Sequence, residues 1–197
     1  MTKESGQIEA IAARISMLRE ANDLTQQEMA DTLGISLAEY NDYESGKNDF
    51  AFSFLYGCAN KLGVDIVELI TGEPPRLSFF SFVKKGEGLR IDRRKEYSYQ
   101  HLAYFYKNKI AEPFHVTVAP KDNVTMPLNC HDGQEFNYIL KGSMRIRVGN
   151  QEELLHQGDA VYYDSSMPHG MMAENGEPCE FLSIIMKNES QDDKGEE

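Results

Sequence analysis

Cysteines, basic residues and long apolar runs are all scarce in this chain of 197 residues, and each scarcity excludes a class of protein. Its three cysteines (Cys58, Cys130 and Cys179) are odd in number and form no CxxC pair, which argues against a disulfide framework and favours a reducing cytoplasm. No apolar run approaches the length of about 18 residues that a transmembrane helix needs. The first residues also lack the apolar stretch of a signal peptide.

Positive charge is in deficit, with 20 Lys and Arg against 32 Asp and Glu, so the formal net charge is −12. Such a charge opposes broad, nonspecific attraction to nucleic acid or to an anionic membrane. The length allows one large or two small domains, and a hydrophobic content of 41% is enough to fill their cores. Composition therefore indicates a globular cytoplasmic protein with no membrane partner.

Residues from about 8 to 70 have the pattern of a helical domain. Apolar residues recur at helical spacing from Ile8 to Leu18. The segments Thr25–Glu28 and Ser36–Glu39 each have the form of a capping box, which predicts helices that start there and end near Gly34 and Glu44. Two further helices are predicted, over about 52–62 and from Asp65 to Gly72.

The pattern changes to period two after Pro74-Pro75, which cannot continue a helix. Alternating strands are predicted around 114–118 and 144–148, and a buried strand over 181–186. The fold class predicted is α+β with two domains: about five helices over 1–72, a linker over 73–78, and an antiparallel β-barrel over 79–187. The acidic tail 188–197 is predicted to be disordered.

Two clusters in the second half have the residue types of a metal site. One is His131-x3-Glu135, and the other is Pro168-His169. Two imidazoles and one carboxylate suit a divalent transition metal such as Fe, Zn, Ni or Mn. The alternative is a barrel whose cavity binds an organic ligand without metal. For Cys130, beside the site, we prefer a buried apolar thiol over a redox-sensitive one. We interpret Asp159 as a turn residue in preference to a ligand.

A basic and aromatic segment connects the two halves. Residues 84–95 hold six bases and two acids, and Tyr97 and Tyr99 follow on one face of a predicted strand. One interpretation is a wall that binds an anionic effector, with Arg94, Tyr97 and Tyr99 as its ligand-binding residues. Others are that these bases contact DNA phosphates, or that they form an ordinary solvated edge strand.

The helical segment resembles the phage-repressor (Xre-type) helix-turn-helix family across roughly 65 residues. The residues that carry the resemblance are Leu24 to Ala30, Leu33-Gly34-Ile35-Ser36 and Tyr43-Glu44-Ser45-Gly46-Lys47. The resemblance implies that the second capped helix enters the major groove and that Gln26 and Gln27 position the DNA backbone. It also implies six base-facing positions: Ser36, Leu37, Ala38, Glu39, Asn41 and Asp42.

The helical domain over residues 1–72, the head of the protein, is acidic. It has five Lys and Arg against twelve Asp and Glu from Met1 to Gly72. Missing phosphate contacts lower the affinity for DNA and its dependence on salt. Glu or Asp in the recognition helix can still read cytosine amino groups. The alternative is a helical domain kept for dimerisation or as a lid. Glu44 is interpreted as structural.

Residues from about 113 to 186 resemble the cupin family, through His131-x3-Glu135-x6-Gly142, Gly158-Asp159 and Pro168-His169. The resemblance implies that His131, Glu135 and His169 are metal ligands and that the two glycines serve turns between strands. Cupins usually present His-x-His at the first motif, and here Asn129 takes the place of the first His as a weak fourth ligand. The remaining triad suits non-haem Fe(II) with open positions.

Two functional hypotheses follow from these resemblances. The first, which we prefer because the helix-turn-helix string is long, is a transcriptional regulator. It would be a homodimer or larger homo-oligomer that binds a double-stranded DNA operator and senses a small-molecule effector through its cupin domain. The second is a mononuclear iron enzyme resembling hydroxypropylphosphonate epoxidase, whose helical domain does not bind DNA. The substrate-contacting Lys of that family falls near Asp23 here.

Overall fold

The structure is a computed structural model that describes residues 3–91, 97–120 and 125–187, with the side chains of residues 3–5 excepted. It divides into two compact units, Met1–Asn108 and Lys109–Glu197. Arg94 and the acidic tail lie outside the described residues, so the predictions made for them are untested. The boundaries predicted at residues 72 and 79 likewise stay predictions.

Five helices open the first unit, in the order and number that the sequence predicts. A short antiparallel pair of strands follows them. The elements are α1 Lys3–Ala21, α2 Gln26–Leu33, α3 Leu37–Glu44, α4 Phe52–Leu62, α5 Ile66–Thr71, β1 Leu89–Arg90 and β2 Tyr97–His101. None of these helices, among the residues described, is long and apolar enough to cross a membrane.

The starts of α2 and α3 are fixed by side-chain caps. Thr25 and Glu28 form the complete capping box that was predicted, each satisfying a backbone N–H of the other. Ser36 accepts from the backbone N–H of Glu39 at 3.2 Å, and no return bond from the Glu39 side chain is seen. The second predicted box is therefore a simple N-cap, which leaves the Glu39 carboxylate facing outward.

The helical core comes from the faces that the apolar spacing predicted. Ile11 and Ile15 of α1 and Met29 of α2 are fully buried. Aromatic residues of α3 and α4 are also buried, and Tyr43 and Phe54 lie with ring centroids 4.2 Å apart. This core sets the relative positions of α2 and α3 and therefore the surface that they present together.

The described part of the second unit forms seven antiparallel strands. Buried and half-exposed residues alternate along the longest of them, as expected of strands with one face in a core. The strands are β3 Ala111–Val118, β4 Gln134–Lys141, β5 Ser143–Val148, β6 Gln151–His156, β7 Ala160–Asp164, β8 His169–Ala173 and β9 Cys179–Met186.

These strands form two separate sheets, and the prediction of a closed barrel is wrong in that respect. Within this unit β3, β9, β4 and β7 lie side by side in one sheet, and β6, β5 and β8 form the other. The ladder between β4 and β9 shifts register between Ile139 and Lys141, and the chain turns at Gly142 into the second sheet. That turn interrupts the continuous hydrogen bonding that closure of a barrel would need.

Gly142 and Gly158 both have positive φ, 80° and 93°, but they differ in the space around them. A Cβ at Gly142 would lie 2.6 Å from the Pro178 carbonyl oxygen, whereas one at Gly158 would meet nothing within 4 Å. We predict that Gly158→Ala lowers the free energy of unfolding by about 1 kcal/mol, the cost of backbone strain alone. Gly142→Ala should cost about 3 kcal/mol, because a backbone clash adds to the strain. Urea denaturation checks both values, and equal losses would contradict the assignment.

Candidate metal centre and DNA-binding surface

Three residues that the sequence selected as metal ligands come together in the second unit. His131 lies in the loop before β4, Glu135 on β4, and His169 at the start of β8. One ligand atom from each lies within 4.8 Å of the others. The side chains of all three are between 3% and 6% exposed, so the cluster is enclosed.

The distances in this cluster are close to those of a metal site. His131 Nε2 lies 3.4 Å from Glu135 Oε2, and His169 Nε2 lies 4.0 Å from the same oxygen. An ion with ligands at about 2.1 Å holds neighbouring ligand atoms about 3 to 3.5 Å apart. The first distance already fits, and a small rotation of His169 brings in the second. The two imidazole planes meet at 88°, so their Nε2 atoms approach from different directions.

Backbone carbonyls hold both imidazoles in the tautomer that a metal needs. His131 Nδ1 lies 3.1 Å from the carbonyl oxygen of Asp132, and His169 Nδ1 lies 2.9 Å from that of Met167. A carbonyl oxygen only accepts, so each Nδ1 carries a proton, and Nε2 is the nitrogen through which each ring can bind an ion. Outer partners of this kind orient the ligands of metal sites.

The two oxygens of Glu135 have separate roles. Oε1 accepts from Asn137 Nδ2 at 2.8 Å and from Ser183 Oγ at 3.2 Å. Oε2 is thereby left facing the two histidines. Sequence reasoning missed Asn137 and Ser183, although the signal was present. Both are polar residues at inward positions of otherwise apolar strands, and they are register partners on β4 and β9.

Glu135 and His169 have the protonation states that a metal ion requires. Burial would raise the pKa of Glu135, but hydrogen bonding and charge from His131, with smaller contributions from His169 and Asn137, outweigh it and lower the pKa. Burial lowers the pKa of His169, and the attraction of Glu135 offsets this only in part. At neutral pH Glu135 is therefore ionised and His169 neutral, so neither must lose a proton to bind an ion.

The predictions for three residues next to the cluster have different outcomes. Asn129 is exposed, and its backbone pairs with that of His169 through two hydrogen bonds of 2.8 Å. Cys130 is exposed, so the prediction of a buried thiol is wrong. The physical reason is that His131 turns its side chain inward, which leaves its neighbour in the loop facing out. Asp159 accepts from the backbone N–H of His156 at 2.8 Å, as expected of a turn residue.

In the first unit, α3 presents its N-terminal turn outward. Leu37 is 38% exposed, and Ala38 and Glu39 are exposed beside it. Ser36 is occupied as the N-cap. Asn41 and Asp42 are half-buried further along the helix, and Asp42 accepts from Lys47 Nζ at 3.0 Å. Of the six residues predicted to face bases, the freely presented ones are therefore those of the first turn.

A buried carboxylate connects the three helices behind this surface. Glu44 of α3 accepts from Arg19 Nε at 2.7 Å and from Tyr40 OH at 3.1 Å. It also accepts from the amide of Gln26, the first residue of α2. The interpretation of Glu44 as structural agrees with these contacts, and Glu44 raises the pKa of Arg19. Gln27, by contrast, is exposed and bonds Asp31 at 2.7 Å.

The structure describes only two of the three residues predicted to bind an anionic effector. Tyr97 and Tyr99 lie on one face of β2, as predicted, with ring centroids 6.2 Å apart. Tyr99 also stacks on Phe52 of α4, with ring centroids 5.2 Å apart. Both tyrosines belong to the first unit and the metal-type cluster to the second. Their role as ligand-binding residues, with Arg94, stays a prediction.

Comparison with known families agrees with this division. Residues 15–69 match the helix-turn-helix family, and residues 114–185 match the cupin domain family. The uncharacterized HTH-type transcriptional regulator YqaE of Bacillus subtilis (strain 168) is 37% identical over 67 residues. Those residues are 34% of this chain and 58% of YqaE, so the match spans little more than half of that relative.

Solved structures share the architecture at low sequence identity. An HTH_3 family transcriptional regulator from Vibrio cholerae aligns with a TM-score of 0.71 and 21% identity, over 95% of this chain and 100% of that one. Hydroxypropylphosphonic acid epoxidase from S. wedmorenis aligns with a TM-score of 0.51 and 20% identity, over 91% and 98%. At these identities the likeness shows the fold alone.

The chain thus joins a helix-turn-helix domain to a cupin domain, as the two sequence resemblances predicted. The match of residues 15–69 confirms the resemblance of the helical part to the Xre-type helix-turn-helix.

The network around Glu44 yields a stability prediction. Glu44→Gln removes the charge that pairs with the buried Arg19 guanidinium, so we expect the free energy of unfolding to fall by about 3 kcal/mol. Asp42→Asn, which breaks the exposed pair with Lys47, should cost less than about 1 kcal/mol. Thermal and urea denaturation of the two variants make the comparison. Equal, small losses would show that the buried pair does not hold the three helices together.

Proposed function

We propose that this protein is a DNA-binding transcriptional regulator of the cytoplasm whose cupin domain senses a small molecule at a metal ion. The observation that carries the proposal is the capped pair α2 and α3, with Leu37, Ala38 and Glu39 presented outward. The match of residues 15–69 to the helix-turn-helix family supports it. In this motif the second helix lies in the major groove and its N-terminal residues contact base edges.

The regulator would act as a homodimer, because two heads can then meet the two half-sites of an operator one helical turn apart. Glu39 is the residue of the first turn with a charged side chain, and a carboxylate can accept from the N4 amino group of cytosine. Gln27 lies at the exposed start of α2, where its amide can donate to a phosphate. Gln26 bonds Glu44, so its role is to position α2 against α3.

Phosphate contacts would be few. Arg14 bonds the Leu69 carbonyl at 2.5 Å, and Arg19 is paired with Glu44. Of the described basic side chains in the helices and their turns, Lys47 and Lys61 are exposed. A dimer therefore has about four basic groups in its two heads for phosphates, and the logarithm of affinity should fall with the logarithm of salt concentration with a slope of about −4 or shallower.

The cupin domain would hold a divalent transition ion on His131, Glu135 and His169. An effector would bind at the positions that the protein leaves open. Occupancy of the site by metal and effector regulates the protein only if it favours one arrangement of the two DNA heads over another. The chemical fit of the three side chains, with fixed tautomers and an oriented carboxylate, supports this part of the proposal.

The regulator is tested by titrating DNA from its own upstream region with the full-length protein across a salt series. We expect sequence-specific binding at low salt, with the shallow slope given above. An unrelated DNA duplex of equal length is the control. Absence of any preference for the upstream DNA, with and without added metal, would contradict the function.

Glu39→Ala should change specificity more than affinity for unrelated DNA. We expect the preference for the cognate base pair at one operator position to fall by about 1 to 3 kcal/mol, because the carboxylate no longer accepts from cytosine. Glu9→Ala removes another exposed carboxylate, on α1, and is the matched control. Binding to operators with single base-pair changes measures the effect, and identical behaviour of the two variants would remove Glu39 from the interface.

His169→Ala should lower affinity for Zn(II) and Fe(II) by about 100-fold or more, because it deletes one of three ligands. His156→Ala is the control, since His156 is exposed on β6 and bonds Ser143. Isothermal titration, anaerobic for Fe(II), gives the affinities. If both variants bind metal as the natural protein does, the ion is held elsewhere.

A second candidate is a mononuclear iron oxygenase or oxidase. The set of two histidines and one carboxylate favours it, together with the fold likeness to hydroxypropylphosphonic acid epoxidase. Consumption of oxygen or peroxide by the Fe(II)-loaded protein in the presence of an organic substrate would support this candidate. An Fe(II)-loaded protein that binds operator DNA and consumes neither oxidant would favour the regulator.

A further inference from the structure

Asn137 has a position in the cupin domain that support of Glu135 alone does not account for. Asn137 is fully buried on β4, two positions after Glu135 and on the same face of the strand. Its Nδ2 donates to Glu135 Oε1 at 2.8 Å and reaches Tyr163 OH at 3.3 Å. The ring of Tyr163 lies with its centroid 5.1 Å from that of His169. The amide therefore lies against Glu135 and Tyr163, which are themselves next to the candidate histidine ligands.

The other end of this amide is unsatisfied. Asn137 Oδ1 is buried and has no hydrogen-bond partner among the described residues. The orientation of the amide is fixed by chemistry, because an ionised carboxylate accepts and must face the NH₂ group. Oδ1 is consequently an acceptor enclosed in the protein, and leaving such a group unpaired costs roughly 1 to 3 kcal/mol.

A second buried polar atom lies beside the same histidines. Ser165 Oγ also lacks a partner within the described part of the chain. The carbonyl of Ser165 accepts from the backbone N–H of His131 at 2.9 Å, which places this residue next to the first ligand. Native proteins leave few buried polar atoms unpaired, and a bound water, ion or other molecule is one explanation for such a group.

We propose that Asn137 Oδ1 accepts a hydrogen bond from a hydroxyl or amine group of the small molecule that binds at the metal. The proposal rests on the metal centre proposed above and adds a chemical class to its ligand. A group bound to an ion at about 2.1 Å can also donate to an acceptor one hydrogen bond further away. Coordination to a cation makes a hydroxyl or amine a stronger donor, so the two contacts reinforce each other.

This arrangement selects ligands by a donor next to the coordinating atom. A ligand that presents a hydroxyl or amine satisfies Oδ1, whereas an ether or tertiary amine leaves it buried and unpaired. Sites built to hydrogen-bond a polar group reject analogues that lack it for this reason. Asn137 would thus both orient Glu135 through Nδ2 and determine specificity through Oδ1.

The test uses the full-length protein loaded with Co(II), whose visible absorption reports on its ligands. Glycolate and methoxyacetate are the probes, since both can chelate the ion and only glycolate offers a hydroxyl donor. We expect the natural protein to bind glycolate about 10-fold more tightly than methoxyacetate. This comparison needs no variant and is therefore independent of any folding defect.

Two variants separate the hydrogen bond from other causes. Asn137→Leu is close to isosteric and removes Oδ1, so the preference for glycolate should disappear. If the bulk of the methoxy group caused the preference, it would persist in this variant. Ser183→Ala removes the other donor to Glu135 and is the matched control. It should weaken Co(II) binding but keep the preference for glycolate.

The outcomes distinguish this inference from the function on which it rests. Co(II) binding without discrimination between the probes, or a preference that survives in Asn137→Leu, overturns the role of Oδ1 and leaves the metal centre intact. Failure of the natural protein to bind Co(II), Zn(II) or Fe(II) overturns the metal centre and this inference together.

Discussion

Burial of the Glu135 carboxylate is the constraint on which the cupin domain depends. A carboxylate that is 4% exposed is costly unless charges and hydrogen bonds compensate for its lost hydration. Here Asn137 and Ser183 compensate one oxygen, and the two histidines face the other. The two sheets bring β4, β8, β9 and the loop before β4 together around this carboxylate. The residues on these elements supply the hydrogen bonds and charges without which the carboxylate could not be buried. A cation in the cluster would complete the compensation with a full charge.

The helical domain is also organised around a buried carboxylate whose charge is compensated by its neighbours. Glu44 is buried and accepts from α1 through Arg19, from α2 through Gln26 and from its own helix through Tyr40. Arg19 neutralises the charge of this carboxylate. The pair therefore leaves the net acidity of the head unchanged, and it makes Arg19 unavailable to DNA phosphates. The start of α3 presents a short outward surface with one acidic side chain, Glu39. This surface is better suited to contacting base edges than to binding phosphates.

Local patterns predicted the helices well, because caps act over a few residues. Thr25 with Glu28 and the bounds of α4 are examples. The motifs also selected three candidate ligands that come together in the structure. Long-range pairing was less predictable: nothing near Gly142 indicates that the chain leaves one sheet for another. Asn137 and Ser183 were missed because each becomes significant only when β4 and β9 pair in register. Cys130 was misassigned because its position beside the site was taken to mean burial, whereas His131 turns inward and leaves Cys130 facing out.

Reciprocal linkage between the two domains tests the account most directly. Operator affinity is measured with the metal-loaded and the chelator-treated protein, and metal affinity is measured with and without operator DNA. If the cupin site regulates the head, metal changes DNA affinity by a factor of about 5 to 150, and DNA changes metal affinity by the same factor. Operator affinity that is identical with and without metal, while metal binds at His131, Glu135 and His169, would contradict the account.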